Sequence, residues 1–247
     1  MSMRRPIRLL CLPCAGASAT MYLGWRRTLP RWIEVVPVEL PGRGSRLSEA
    51  FAKSFDDLVA QLCDEQAGEL HGDFALFGHS MGALLAYGMA LRLLDLGAPV
   101  PLALVVSGSP APSRRDPGRF AGKDNDEALL ADLRKQGGTP EEVLRDAELI
   151  RLTLDVLGAD YRVCERFSYA GPRALPMPVH VLGGRDDDIE SERLQAWGSE
   201  AGRQSTLDWF DGGHFFIRQH EGRVLSTLAS RLGESAEGVR HATRVLA

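Results

Sequence analysis

The strongest chemical signal in the chain is a pentapeptide, Gly78-His-Ser-Met-Gly82. It follows the apolar run Phe74-Ala-Leu-Phe77 directly and opens a helical pattern over Met81–Leu96. A serine on a sharp turn between strand and helix presents its hydroxyl at the end of the strand. The turn strains the serine backbone, and side chains at 78 and 82 would collide with the neighbouring strand and helix, so both positions call for glycine. Such a hydroxyl attacks acyl carbons, but it is a weak nucleophile near neutral pH. It needs a base within hydrogen-bonding reach and an acid that fixes the base's tautomer.

The chain order that goes with this kind of turn is Ser, then Asp or Glu, then His. Six histidines compete for the role of base. His71 precedes the strand that carries Ser80, His79 points away inside the turn, His180 lies within a strand, and His220 and His241 sit on polar helical or tail segments. His214 alone lies in a glycine-bearing loop after a late strand, Asp211-Gly-Gly-His-Phe-Phe216, and is the expected base.

Three carboxylates crowd one loop in Gly183-Gly-Arg-Asp-Asp-Asp188. Asp186 is the expected acid, because Ile189 three residues on supplies an apolar anchor that would turn it inward. Asp187 and Asp188 then become solvated or capping residues. Asp187 remains the competitor, since an offset of one residue in a loop lies beyond what a sequence resolves.

An oxyanion forms on the substrate oxygen during acyl transfer, and two backbone N–H groups must face it. Met81, directly after the nucleophile, supplies one. The other is expected from the small-residue loop Pro13-Cys-Ala-Gly-Ala-Ser18, at Ala15.

These residues need a scaffold. Short apolar runs at Ile7–Leu12, Glu34–Val38, Phe74–Phe77, Leu102–Ser107, Val179–Gly183 and Thr206–Phe210 read as strands, several of them apolar throughout, as strands buried on both faces are. Helical patterns separate them at Phe55–Leu70, opened by the cap Ser54-x-x-Asp57, and at Met81–Leu96, Ser191–Ala201 and Glu221–Leu232. The fold class is therefore α/β: an α/β-hydrolase fold with a mostly parallel central sheet, helices on both faces and a helical lid insertion.

The insertion is expected at about 110–176, where no convincing strand occurs. Thr139-Pro-Glu-Glu142 signals a helix start within it. Leu129, Leu130, Leu133, Val143, Leu144, Leu149, Ile150, Leu154 and Leu157 give apolar faces that must cover something, and the carboxyl ends of the strands, where ligands bind in such sheets, are the expected site. Arg114, Arg115, Arg119 and Lys123 at its start read as a solvated charged loop.

A chain of 247 residues, 44% hydrophobic, suffices for one domain over 1–247. The formal charge of −4, with no basic run, argues against nucleic acid as a partner. The apolar stretch after Met1–Arg5 ends at Pro13, too short for a signal or a membrane span, so a soluble cytoplasmic monomer is expected. Cys11, Cys14, Cys63 and Cys164 are too few and scattered for a disulfide framework. The Cys11-x-x-Cys14 pair straddles a strand end and has no second pair to complete a zinc set, so neither a redox nor a metal role is expected.

Over nearly its whole length the chain resembles the stand-alone type II thioesterases that accompany nonribosomal peptide and polyketide synthetases. Leu12-Pro-Cys-Ala-Gly16 looks like their early oxyanion loop, Val38-Glu-Leu-Pro-Gly-Arg-Gly44 like their second block, and Gly78–Gly82 like their nucleophile elbow. Asp211–Phe216 is similar to their histidine block and Gly158-Ala-Asp-Tyr161 to the stretch that closes their lid. Two positions depart from the pattern: Ala17 stands where a second glycine is common, and Gly158 where an arginine commonly precedes Ala-Asp-Tyr.

The resemblance implies hydrolysis of acyl or aminoacyl thioesters held on the phosphopantetheine of carrier proteins. It implies an editing role in antibiotic or siderophore assembly, through Ser80, His214 and Asp186, with no cofactor of the enzyme's own. An esterase or lipase for small free esters would use the same residues, and a non-catalytic interaction protein could retain the fold.

Overall fold

The structure, a computed structural model, describes residues 5–245. Its strands are β1 (Ile7–Leu12), β2 (Ile33–Pro37), β3 (Phe74–His79), β4 (Leu104–Ser107), β5 (Val179–Gly184) and β6 (Ser205–Phe210). They form one sheet in the order β2-β1-β3-β4-β5-β6, with every pairing parallel. β3, which ends in the serine turn, lies between β1 and β4 in the middle of the sheet.

The helices are α1 (Trp25–Thr28), α2 (Phe55–Glu65), α3 (Met81–Asp95), α4 (Asp126–Gln136), α5 (Glu141–Arg145), α6 (Ala147–Glu165), α7 (Ser191–Gln195), α8 (Phe216–Gln219) and α9 (Glu221–Val245). Side chains alternate across a strand, so each central strand feeds two cores. Leu10, Leu76, Val106 and Val181 face α2 and α3 on one side of the sheet. Leu9, Phe77, Val105 and Leu182 face α9 and the Tyr22–Trp25 cluster on the other. Two buried faces explain the unbroken apolar runs of the strands. Leu225, Leu228 and Leu232 recur at helical spacing on α9 and are buried, and truncating one such leucine to alanine costs about 2–5 kcal/mol.

Local signals set several boundaries. Ser54 caps α2 by accepting the Asp57 N–H at 3.1 Å. That helix stops at Glu65 instead of Leu70, because the chain turns at Gln66, whose carbonyl takes the N–H groups of Glu69 and Leu70. α9 continues well past Leu232 to Val245, its apolar stripe extended by Ala236. α5 begins one residue later than its Thr139 cap signal, with Pro140 in the capping position. The segment between β4 and β5 carries α4, α5 and α6, of which α4 and α6 pack together through Leu129, Leu154, Leu157 and Tyr161. No described helix is long and apolar enough to cross a membrane.

Candidate active site

The geometry at the end of β3 follows from its two glycines. A Cβ at Gly78 would overlap the Gly82 backbone, and one at Gly82 would overlap the Leu12 carbonyl on the adjoining strand. Ser80 adopts φ 54° and ψ −116°, a conformation that costs a non-glycine residue of order 1–3 kcal/mol. Its N–H donates to Ser107 O at 2.8 Å, which fixes the turn to β4.

His214 arrives from the loop after β6, where Gly212 has φ +95°. Phe216 stacks on Phe210 at 5.3 Å and anchors that loop to the end of the strand. The imidazole Nδ1 lies 2.9 Å from Asp187 Oδ2, whose side chain is 5% exposed. Asp186, the residue expected there, is exposed and lies elsewhere: it accepts the Gly212 N–H through Oδ2 at 3.2 Å, and its own N–H donates to Gly212 O.

The reason for this correction is one of register. β5 runs to Gly184, paired with Phe210, one residue beyond the expected end at Gly183, and the inward carboxylate moves with it from 186 to 187. Asp188 is exposed and pairs with Lys135 Nζ at 2.6 Å, which holds its carboxyl below the usual range. Gly184 is required by close approach, since a Cβ there would lie 2.7 Å from the carbonyls of Gly212 and Gly213.

Ser80, His214, Asp187, Met81 and Ala15 all line one cavity of about 460 Å³ beneath the helical segment. Among the described residues, the N–H groups of Ala15 and Met81 donate to no protein acceptor. They are free to meet a bound oxygen. The remaining walls mix polar and apolar side chains. Lys123 and the exposed Arg119 pair with Asp132 at 2.7 and 3.3 Å, and Arg115 donates to Cys164 O and lies over Phe167. Three of the four cations expected in a solvated loop are thus committed to this wall.

Asp132, only 7% exposed, also accepts from Tyr161 Oη and Gln136. Sequence reasoning missed it, because an aspartate between leucines at 130 and 133 reads as the outer face of a helix. Gly108 was missed as well: with φ +54°, a Cβ there would lie 2.6 Å from the His79 ring and 3.5 Å from that of His214. The Ser107-Gly-Ser109 sequence at the end of β4 was the available signal.

His79 is fully buried, with Nδ1 at 3.0 Å from Ser107 Oγ and its ring 5.0 Å from that of His214. Burial, reinforced by His214, holds its pKa well below the ordinary histidine value, so it brings no second charge beside His214. Cys14 lines the cavity as a buried free thiol, pushed up to about 12 by desolvation, and Cys11 is buried and unbridged behind it. Among the described residues no group of three or more His, Cys, Asp or Glu side chains could hold a metal ion.

Comparison with known proteins agrees with this architecture. The family model for the thioesterase domain matches residues 7–232. The gramicidin S biosynthesis protein GrsT of Aneurinibacillus migulanus is 31% identical over 92% of this chain and 89% of its own length. Among solved structures, ClbQ from the colibactin nonribosomal peptide and polyketide pathway superposes with a TM-score of 0.87 at 33% identity, over 95% of this chain and 99% of that one. The type II thioesterase BorB from the borrelidin biosynthetic cluster superposes at 0.83 with 38% identity, over 92% and 95%.

Proposed function

The chain belongs to the thioesterase family, whose model spans nearly all of it, and on that premise we propose that it hydrolyses acyl or aminoacyl thioesters carried on the phosphopantetheine arm of a synthetase carrier protein. Its solved neighbours include type II thioesterases of nonribosomal peptide and polyketide pathways. The proposed role is editing: the enzyme frees carriers blocked by stalled or wrong acyl groups.

The observation that carries the reading is the part-buried Asp187–His214 pair, opening into the cavity that Ser80 enters from its strained turn. Asp187 accepts the Nδ1 proton and so leaves Nε2 as the basic nitrogen. His214 takes the Ser80 hydroxyl proton as Oγ attacks the thioester carbonyl, and the N–H groups of Ala15 and Met81 meet the oxyanion. Collapse of the tetrahedral intermediate expels the pantetheine thiol, which receives the proton from His214. His214 then deprotonates a water that attacks the acyl-Ser80 ester, and the acid departs as Ser80 regains its proton. Asp187 stabilises the imidazolium in both halves. A serine ester splits one difficult displacement into two easier ones.

The helical segment over the cavity acts as a lid in this reading. The test is a comparison of kcat/KM for acyl-loaded carrier proteins with that for the same acyl groups on simple alcohols. The proposal expects the carrier thioester to be preferred by at least tenfold. Equal or better turnover of the free esters would make the enzyme a small-ester hydrolase.

A further inference from the structure

Besides the Asp187–His214 pair, a second ion pair is sealed within the protein. Arg43 lies between β2 and α2, and its guanidinium donates to both carboxylate oxygens of Asp160 on α6, each at 2.6 Å, with side chains 6% and 3% exposed. Removing two charges from water is costly, and apolar residues of similar volume often serve stability equally well. The pair therefore invites a question about what else it holds.

What it holds is the loop that carries Ala15. Asp160 Oδ2 also accepts the Gly16 N–H at 2.8 Å, and Arg43 donates to Ala17 O at 3.2 Å. Residues 14–17 form a tight turn closed by Ala17 N–H to Cys14 O at 3.1 Å, with Ala15 and Gly16 at its two central positions. The φ of +76° at Gly16 belongs to a type II turn, in which the central peptide is flipped relative to type I. The N–H of that central peptide is the one bound by Asp160. A Cβ on Gly16 would lie 3.2 Å from Leu157, one turn earlier on the same helix, so α6 also packs against the turn. Three segments far apart in sequence meet at one carboxylate: the Ala15 loop, the Arg43 loop and the helix over the cavity.

We propose that Asp160, oriented by Arg43, is a positioning residue that ties the Cys14–Ala17 turn to α6 through the Gly16 N–H and the Arg43–Ala17 contact, and thereby keeps the Ala15 N–H aimed at the substrate oxygen. The inference rests on the reading of Ala15 as an oxyanion donor. It adds that this donor is set only while α6 is docked, because the acceptor that holds its turn belongs to α6. Loss of the acceptor releases the turn from α6, so that it shifts as a unit and carries the Ala15 N–H off its target.

Two double variants isolate the acceptor from the buried charge. Arg43→Met/Asp160→Leu removes the ion pair and the acceptor, whereas Arg43→Met/Asp160→Asn removes the ion pair but keeps an oxygen at position 160 for the Gly16 N–H. With an acyl-carrier substrate, the leucine variant is expected to lose about 10- to 100-fold in kcat with KM within about threefold, and the asparagine variant to recover most of that loss. Equal kcat in the two variants overturns the role of Asp160. Should the leucine variant unfold, Arg43→Met/Asp160→Ala replaces it; if neither acceptor-less variant folds while the asparagine variant does, the carboxylate serves stability and the proposal fails. Endpoint labelling of the wild-type enzyme by a fluorophosphonate, read as mass on the Ser80 peptide, separates the two levels: no label removes the serine reading itself, while full label with equal kcat values removes only the inference about Asp160.

Discussion

Asp187 Oδ2 lies 2.9 Å from His214 Nδ1, while the adjacent Asp186 turns outward to bind the Gly212 N–H. Adjacent carboxylates of one chemistry thus receive separate tasks from a single residue of strand register. One faces His214 and the other staples its own loop to the histidine loop.

Their neutral isosteres separate these tasks. Asp187→Asn keeps the shape but offers an amide where Nδ1–H needs an acceptor, which favours the wrong tautomer, and kcat is expected to fall by about 10⁴-fold. Asp186→Asn removes only a charge-assisted loop bond and is expected to leave kcat within about fivefold. Steady-state kinetics on a common thioester checks the ranking, and the opposite order would return the role of acid to Asp186.

Gly184 tests the close approach of the same two loops. A methyl group at this position meets the carbonyls of Gly212 and Gly213 at 2.7 Å and drives the acid loop away from the histidine loop. Gly184→Ala is expected to lower kcat by at least tenfold, since small misplacements of catalytic groups are expensive, and to destabilise by about 1–3 kcal/mol. Chemical denaturation together with kinetics measures both. An unchanged variant would show that the loops have slack.

His180 gives the fold a pH dependence away from the cavity. It is buried between Thr206 and Ser235, and desolvation, helped by Arg231, lowers its pKa to about 4. The unfolded chain binds the proton near pH 6.5, above the folded value, so stability is fully present above about pH 6.5 and is lost as pH falls toward 4. The loss amounts to about 3 kcal/mol. His180→Gln is expected to be less stable at pH 7 but to show a shallower decline in Tm between pH 6.5 and 4.5. An identical slope in the two proteins would assign the decline to other groups.

Much of this was legible in the sequence. The central strands were visible because burial on both faces made them continuous apolar runs, and Ser80 was visible because its turn demands two glycines that nothing else explains. The choice between Asp186 and Asp187 was not, because it hangs on whether β5 ends at Gly183 or Gly184, and both glycines look alike in a sequence. Asp160 and Asp132 were hidden for a different reason. Their partners, Arg43 and Gly16 for one and Arg119 and Lys123 for the other, come together only after the helices between β4 and β5 have packed. Local patterns report the face of a helix, and these residues act across elements.

The most direct test is intact-mass analysis of the enzyme, quenched during turnover of an acyl-loaded carrier protein. The account predicts a transient mass increase equal to the acyl group, mapped to the peptide containing Ser80, absent from Ser80→Ala and accumulating in variants slowed in the water step. Steady hydrolysis by Ser80→Ala, or an acyl adduct on any other residue, would contradict it.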